Sequence, residues 1–224
     1  MKIARLLLLI SAGLMMSSCA KKEEYPVLTG GRDAAIDYIT GECFDGQDQP
    51  LTATAKVKYF RENGQLAEEW LCQNGKINGT TKTYSENGKL YSETNFQNGQ
   101  VIGAVRRYYE SGKLLSETPY QNGKEDGIEK IYFESGKIQT EIPYKDGGVS
   151  GAIKGYYESG AINFEITTQS EGDINSSLEK IYAEDGKLQQ ETTCKGPLAE
   201  ECVEKNFDSA GTMTSQRAYT KGPE

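Results

Sequence analysis

Five residues after each of six regularly spaced glycines stands a glutamate: Glu69, Glu93, Glu117, Glu141, Glu165 and Glu191. Carboxylates in pairs can hydrolyse glycosides, and clustered they can hold calcium. A row on successive hairpins suits neither chemistry. Equivalent strands of neighbouring hairpins lie roughly 9–10 Å apart, whereas calcium needs several oxygens within about 2.3–2.6 Å of one ion. The chain has no histidine, which removes every triad built on imidazole. No metal, cofactor or catalytic residue is expected. Each glutamate follows a cation by eleven residues, from Lys58 and Lys82 through Arg106, Lys130 and Lys154 to Lys180. Opposed charges repeated this way read as a solvated, ion-paired face.

Two further residue types carry chemistry. Of five cysteines, Cys19 ends a leader and four remain: Cys43, Cys72, Cys194 and Cys202. An even number in an exported chain points to two disulfides, for which three connectivities exist. Placed near the two ends of the periodic region, they read as Cys43–Cys72 and Cys194–Cys202, staples for terminal units that lack a neighbour. Aromatic residues form the other set. Phe60, Tyr84, Tyr108, Tyr132, Tyr156, Tyr182 and Phe207 stand four before each glycine, and such rows suit the protected face of a thin sheet. Tyr109, Phe133 and Tyr157 do not recur in every unit. They are the candidate binding surface, an aromatic groove for a peptide or glycan.

The elements that must position these residues follow from the glycines. Gly64, Gly88, Gly112, Gly136 and Gly160 are spaced by 24, with Gly186 and Gly211 following, and a second set falls eleven on at Gly75, Gly99, Gly123 and Gly147. Asn-Gly, Ser-Gly and Asp-Gly between runs rich in Tyr, Thr and Leu are hairpin turns. A period of this length is one supersecondary unit stacked many times. The expected fold is all-β, an elongated antiparallel meander of about seven hairpins forming one twisted, open sheet. Fourteen strands at about 4.8 Å give a body on the order of 65 Å long. Positions two and eight after the glycine are both apolar and share a face of an uninterrupted strand. Two registers remain open: a two-residue turn sets the Lys column opposite the Glu column, and a glycine-bulge turn sets the aromatic opposite the Leu.

Residues 1–18 read as a secretory leader: Lys2 and Arg5, then an apolar run too short to span a bilayer. Met16-Ser17-Ser18-Cys19 resembles a bacterial lipobox, so Cys19 is the expected lipidation site; the competing reading is ordinary cleavage near Ala20. Several acyl chains give a stable anchor where one does not. Absence of Asp beside Cys19 resembles outer-membrane rather than inner-membrane retention, which places the chain in a bacterial envelope, periplasmic or surface-exposed. Residues 19–33 read as lipidated N-terminus and tether, 34–55 as a cap, and 56–224 as the repeat domain. The formal charge is −8, and loss of the two leader cations leaves −10. With no basic stripe, nucleic acid is not an expected partner, and direct contact with anionic lipid is disfavoured. The membrane is reached through the anchor.

The pattern YYESGKLLSETPYQNGKEDG (108–127) resembles the bacterial variant of the MORN (membrane occupation and recognition nexus) repeat, the kind labelled YwqK-family antitoxin. The likeness covers residues 56–220, is fullest over 80–165, and degrades after Gly160, where Thr168 and Cys194 replace the aromatic and Asn175 and Ser176 replace the third glycine. It implies a long twisted sheet with an open groove, used for binding rather than chemistry, and brings no catalytic residues. The expected function is an envelope-anchored, non-catalytic scaffold for an unknown envelope or extracellular protein, with an antitoxin or immunity-like form as a subclass. The alternative is a glycan- or peptidoglycan-binding module.

Overall fold

The computed structural model describes residues 27–30, 34–37, 39–171, 174–196 and 200–221; the leader and Cys19 lie outside them. The described residues are all-β, with no helix, and their nineteen strands join one open, mostly antiparallel sheet. Seven hairpin units follow in chain order: 55–73, 76–97, 100–121, 124–145, 148–171, 174–196 and 201–220. Each pairs with the next, so the sheet grows one hairpin at a time.

Two turns alternate. The first is a three-residue loop in which glycine takes positive φ, from 74° at Gly88 to 91° at Gly160. Its N–H closes the loop, as in Gly112 N to Tyr109 O at 2.8 Å. The second is a two-residue loop with both central residues at positive φ, such as Asn98 (51°) and Gly99 (84°), the geometry that matches strand twist.

The structure resolves the register question by satisfying both alternatives. Lys82 faces Glu93 while Tyr84 faces Leu90, and a one-residue shift between Thr83 and Tyr84 reconciles them. The same pairing and shift recur in all seven units. One extra residue, such as Tyr91 or Leu115, is bulged on the second strand of each hairpin. It also corrects the expectation that positions two and eight share a face. Leu90 lies beside Tyr84 on the charged side, whereas Phe96 is buried on the other. A one-residue slip exchanges faces.

Between units a second irregularity occurs. From unit one to unit five the ladder jumps by two residues, as from Asn95↔Ile102 to Glu93↔Arg106. It does so beside Gly79, Gly103, Gly127 and Gly151, whose φ values run from 67° to 127°. A shift of two preserves facing, so the rows stay aligned. Where Asn175 and Ser176 replace that glycine, pairing is unbroken from Phe164↔Ile181 to Glu171↔Ile174.

The apolar core is concentrated at the N-terminal end. Trp70, Val57, Ile77, Phe96, Ala34 and the Cys43–Cys72 disulfide form it, with Leu28, Ile36, Leu51 and Val101 packed against them. Val27–Thr29, read as tether, is a parallel strand against Ala55–Phe60. The hairpin Ala34–Asp37 with Glu42–Asp45 stacks on the second turns of units one and two: Cys43 N donates to Gly75 O and Ile77 N to Gly41 O, each at 2.8 Å. Farther along the same face the buried side chains are small and often polar, including Thr81, Ser116, Thr118 and Thr192. The aromatic row four before each first-turn glycine does not form that core; most of its members are half-buried on the charged side.

Candidate binding surface

The shifts above put the cation six before and the glutamate five after each first-turn glycine into one row. Read across the strands, it runs Lys58, Glu69, Lys82, Glu93, Arg106, Glu117, Lys130, Glu141, Lys154, Glu165, Lys180, Glu191, Lys205, Gln216. Each interior glutamate thus has a cation on either side. The shorter contacts are Lys82–Glu93 at 3.2 Å and Lys205–Glu191 at 3.0 Å, and Arg106 meets Glu117. Phenols complete the row from above. Tyr84, Tyr108, Tyr156 and Tyr182 each donate to the glutamate of the preceding unit, Glu69, Glu93, Glu141 and Glu165, over 2.7–3.2 Å.

Electrostatics follow from that geometry. Burial, then the glutamate partner, pushes the phenols of Tyr84, Tyr108 and Tyr156 up to about 12. Tyr120 rises likewise, its hydroxyl 2.6 Å from Glu125. The donated hydrogen bonds hold Glu93 and Glu125 below the usual carboxylate range. These carboxylates are occupied acceptors. No group of three or more His, Cys, Asp or Glu among the described residues is placed to hold a metal ion.

The three aromatic candidates fall elsewhere than on a bare groove. Tyr109 and Tyr157 are half-buried, and their hydroxyls donate to the backbone oxygens of Tyr132 and Tyr182, the latter at 2.8 Å. Arg61 makes the same reach to Tyr84 O at 2.7 Å. This position therefore ties one unit to the next. A second tie comes from the lysine after the first-turn glycine: Lys89, Lys113 and Lys137 donate to the carbonyls of Glu110, Glu134 and Glu158, each at 2.6 Å. Sequence reasoning passed over these lysines, although the repeated Gly-Lys was the available signal.

Phe133 and Tyr157 are brought together. With Tyr156 and Phe164 they line a cleft of about 330 Å³, and Gln139, Asn163 and Glu158 supply polar edges. Tyr109 is not part of it. A second concavity, about 260 Å³, lies where the N-terminal hairpin meets unit one, between Ala34, Ile36, Tyr59 and Trp70. Tyr59, which lines it, is 46% exposed. Both disulfides are present, Cys43–Cys72 and Cys194–Cys202; the second joins directly opposed residues of neighbouring strands.

Stacked hairpins joined by unit-to-unit ties define a β-repeat scaffold. Residues 77–98, 102–122 and 125–146 match the family described as MORN repeat variant, so units two to four carry MORN repeats. Each of these segments keeps the third glycine and its two-residue shift, as unit five also does at Gly151. No curated protein matches the chain. Among solved structures, a crystal structure of TcdB2-TccC3-TEV covers 80% of this chain at 13% identity with a TM-score of 0.24. This chain spans 12% of that one, and at such a score the likeness carries no argument.

Proposed function

We propose that the chain is a non-catalytic docking scaffold for a protein partner, held at a bacterial envelope by acyl chains on Cys19. The observation that carries the reading is the apolar recess between the N-terminal hairpin and unit one, lined by Ile36, Tyr59 and Trp70, with the Tyr59 ring open to solvent. Repeated polar groups are spent on holding units together, whereas Tyr59 and the recess beside it offer apolar surface to solvent, and such surface marks interfaces. The immunity-like form, with an exported toxin as partner, is a narrower version that a neighbouring toxin gene would favour. Crosslinking in intact cells with mass spectrometry of the co-purified material tests it. One protein recovered at near-equal amount, and lost in Tyr59→Ala, supports docking. Recovery of glycan or lipid alone, or of nothing, defeats it.

The cleft at Phe133 favours a second reading, contact with glycan or peptidoglycan. Rings beside two side-chain amides and a carboxylate offer stacking and hydrogen bonds to a sugar. Phe133→Ala is the cleaner probe, because Tyr157 also ties units together. Loss of pulldown by peptidoglycan with an unchanged melt is the expected result under this reading.

A further inference from the structure

The two ends of the sheet are finished differently. At the N-terminal end the outermost strand, Val27–Thr29, is three residues long, and short edges resist pairing. At the other end Met213–Thr220 runs for eight residues, and among the described residues it pairs only with Glu201–Phe207. Its side chains are almost all exposed. It has no proline and no glycine, and its single charge, Arg217, turns back onto Glu204 at 2.9 Å. Beyond the bulge at Thr214 and the single charge of Arg217, the usual protections of an edge are missing.

The register says which backbone groups are free to pair. Lys221 N donates to Glu200 O at 2.8 Å, so alternate residues Tyr219 and Arg217 also direct their backbone inward. Gln216, Ala218 and Thr220 therefore direct N–H and C=O outward. An antiparallel pair of such strands must match outward residues with outward residues. Centred on Arg217, a two-fold pairing sets guanidinium against guanidinium. Centred on Gln216, it carries Thr214, the bulged residue, into the ladder. Centred on Ala218, it sets Gln216 against Thr220 and Ala218 against itself, with Arg217 facing Tyr219. That pair already attracts within one chain, at 5.1 Å from guanidinium to ring centroid. The charge row also meets its copy without conflict. Its last member is Gln216, where a glutamate would bring a seventh acidic side chain to the junction.

We propose that this edge is a homodimer interface: a second copy adds its Met213–Thr220 strand antiparallel to the first about a two-fold axis at Ala218, joining two sheets into one. Gln216, Ala218 and Thr220 supply the backbone hydrogen bonds, and the self-complementary register supplies selectivity over other extended segments.

The test uses the full chain. Sedimentation should give twice the monomer mass, and Ala218→Cys should form an intermolecular disulfide under mild oxidation, since opposed hydrogen-bonded residues lie about 5.5 Å apart. Gln216→Cys should crosslink to Thr220→Cys in a mixture but not to itself. Ala218→Pro removes one outward N–H and no internal bond, so it should be monomeric, with the melt of wild type diluted until it too is monomeric. A monomeric wild type, a dimer that survives Ala218→Pro, or failure of the Ala218→Cys crosslink overturns the proposal. So does slow amide exchange at Gln216, Ala218 and Thr220 in a monomer, which would show that another segment of the same chain covers the edge.

Discussion

Single residues set local tolerances that periodicity does not reveal. Gly155 has ordinary φ, yet an added Cβ would lie 2.0 Å from the ring of its cross-strand neighbour Phe164. Gly155→Ala should therefore destabilise by about 1–3 kcal/mol through overpacking, with Phe164→Ala in the same chain recovering part of the loss; chemical denaturation reads both. Gly41 has less room to adapt: its Cβ position lies 2.3 Å from the backbone of Gly99, which cannot turn aside as a side chain can. Titration also belongs to this scale. Each phenol–carboxylate bond needs a neutral Tyr and an ionised Glu. For Tyr84, Tyr108, Tyr120 and Tyr156 the ordinary value is 10.0 and the folded value about 12. Their contribution is complete below pH 10 and lost as pH rises to 12. Glu93 and Glu125 are held below 4.5, so theirs is complete above pH 4.5 and lost as pH falls. Melting temperature should drop at both extremes, and Tyr108→Phe should flatten the alkaline fall.

Elements are joined through their first turns. Lys113 and Tyr109 both reach unit four, at the carbonyls of Glu134 and Tyr132. Such exposed contacts are each worth about 1 kcal/mol or less. Lys113→Ala should leave the global melt nearly unchanged while speeding amide exchange in the Glu134–Gly136 turn, which hydrogen-exchange mass spectrometry would detect. The lysine tie is missing at Ala161, and fourteen residues later, at Asn175, the third glycine is lost as well. Units five and six are accordingly joined by an unbroken ladder rather than a shifted one. Gly127→Ala tests what the shift requires: φ is 121°, and Pro119 Cγ lies 2.8 Å from the added carbon. It should cost more than Gly103→Ala, where no atom lies within 4 Å, by equilibrium unfolding of the two variants.

The whole molecule has an ordered but uneven stability, because a thin sheet buries its apolar groups at one end. Trp70 is 4% exposed at the centre of that end; Trp70→Ala should cost about 3–5 kcal/mol and loosen the Ala34–Asp45 hairpin first. The disulfides close loops of 29 and 8 residues, which by loop entropy are worth about 3.5 and 2.5 kcal/mol. Reduction should open the two ends before the middle. Limited proteolysis after reduction should cut near Leu51 and near Cys202 while sparing units two to four.

Much of this was legible in one dimension. Glycine at 24-residue spacing announces the hairpins, since only positive φ closes such turns readily, and the alternating cations and glutamates announce their opposition across a strand pair. Even the two disulfides followed from position in the array. What the chain order could not disclose was whether one hairpin's row continues into the next. That depends on a one-residue bulge inside every hairpin, which no invariant residue marks, and on a two-residue shift between the first five, which a repeated glycine marks without disclosing its size. Tyr109 and Tyr157 looked free because their acceptors are backbone carbonyls 23 and 25 residues away, and a carbonyl has no letter in a sequence. Local turn chemistry is written in residue types, whereas the pairing of distant strands is decided only when backbone groups must all find partners at once.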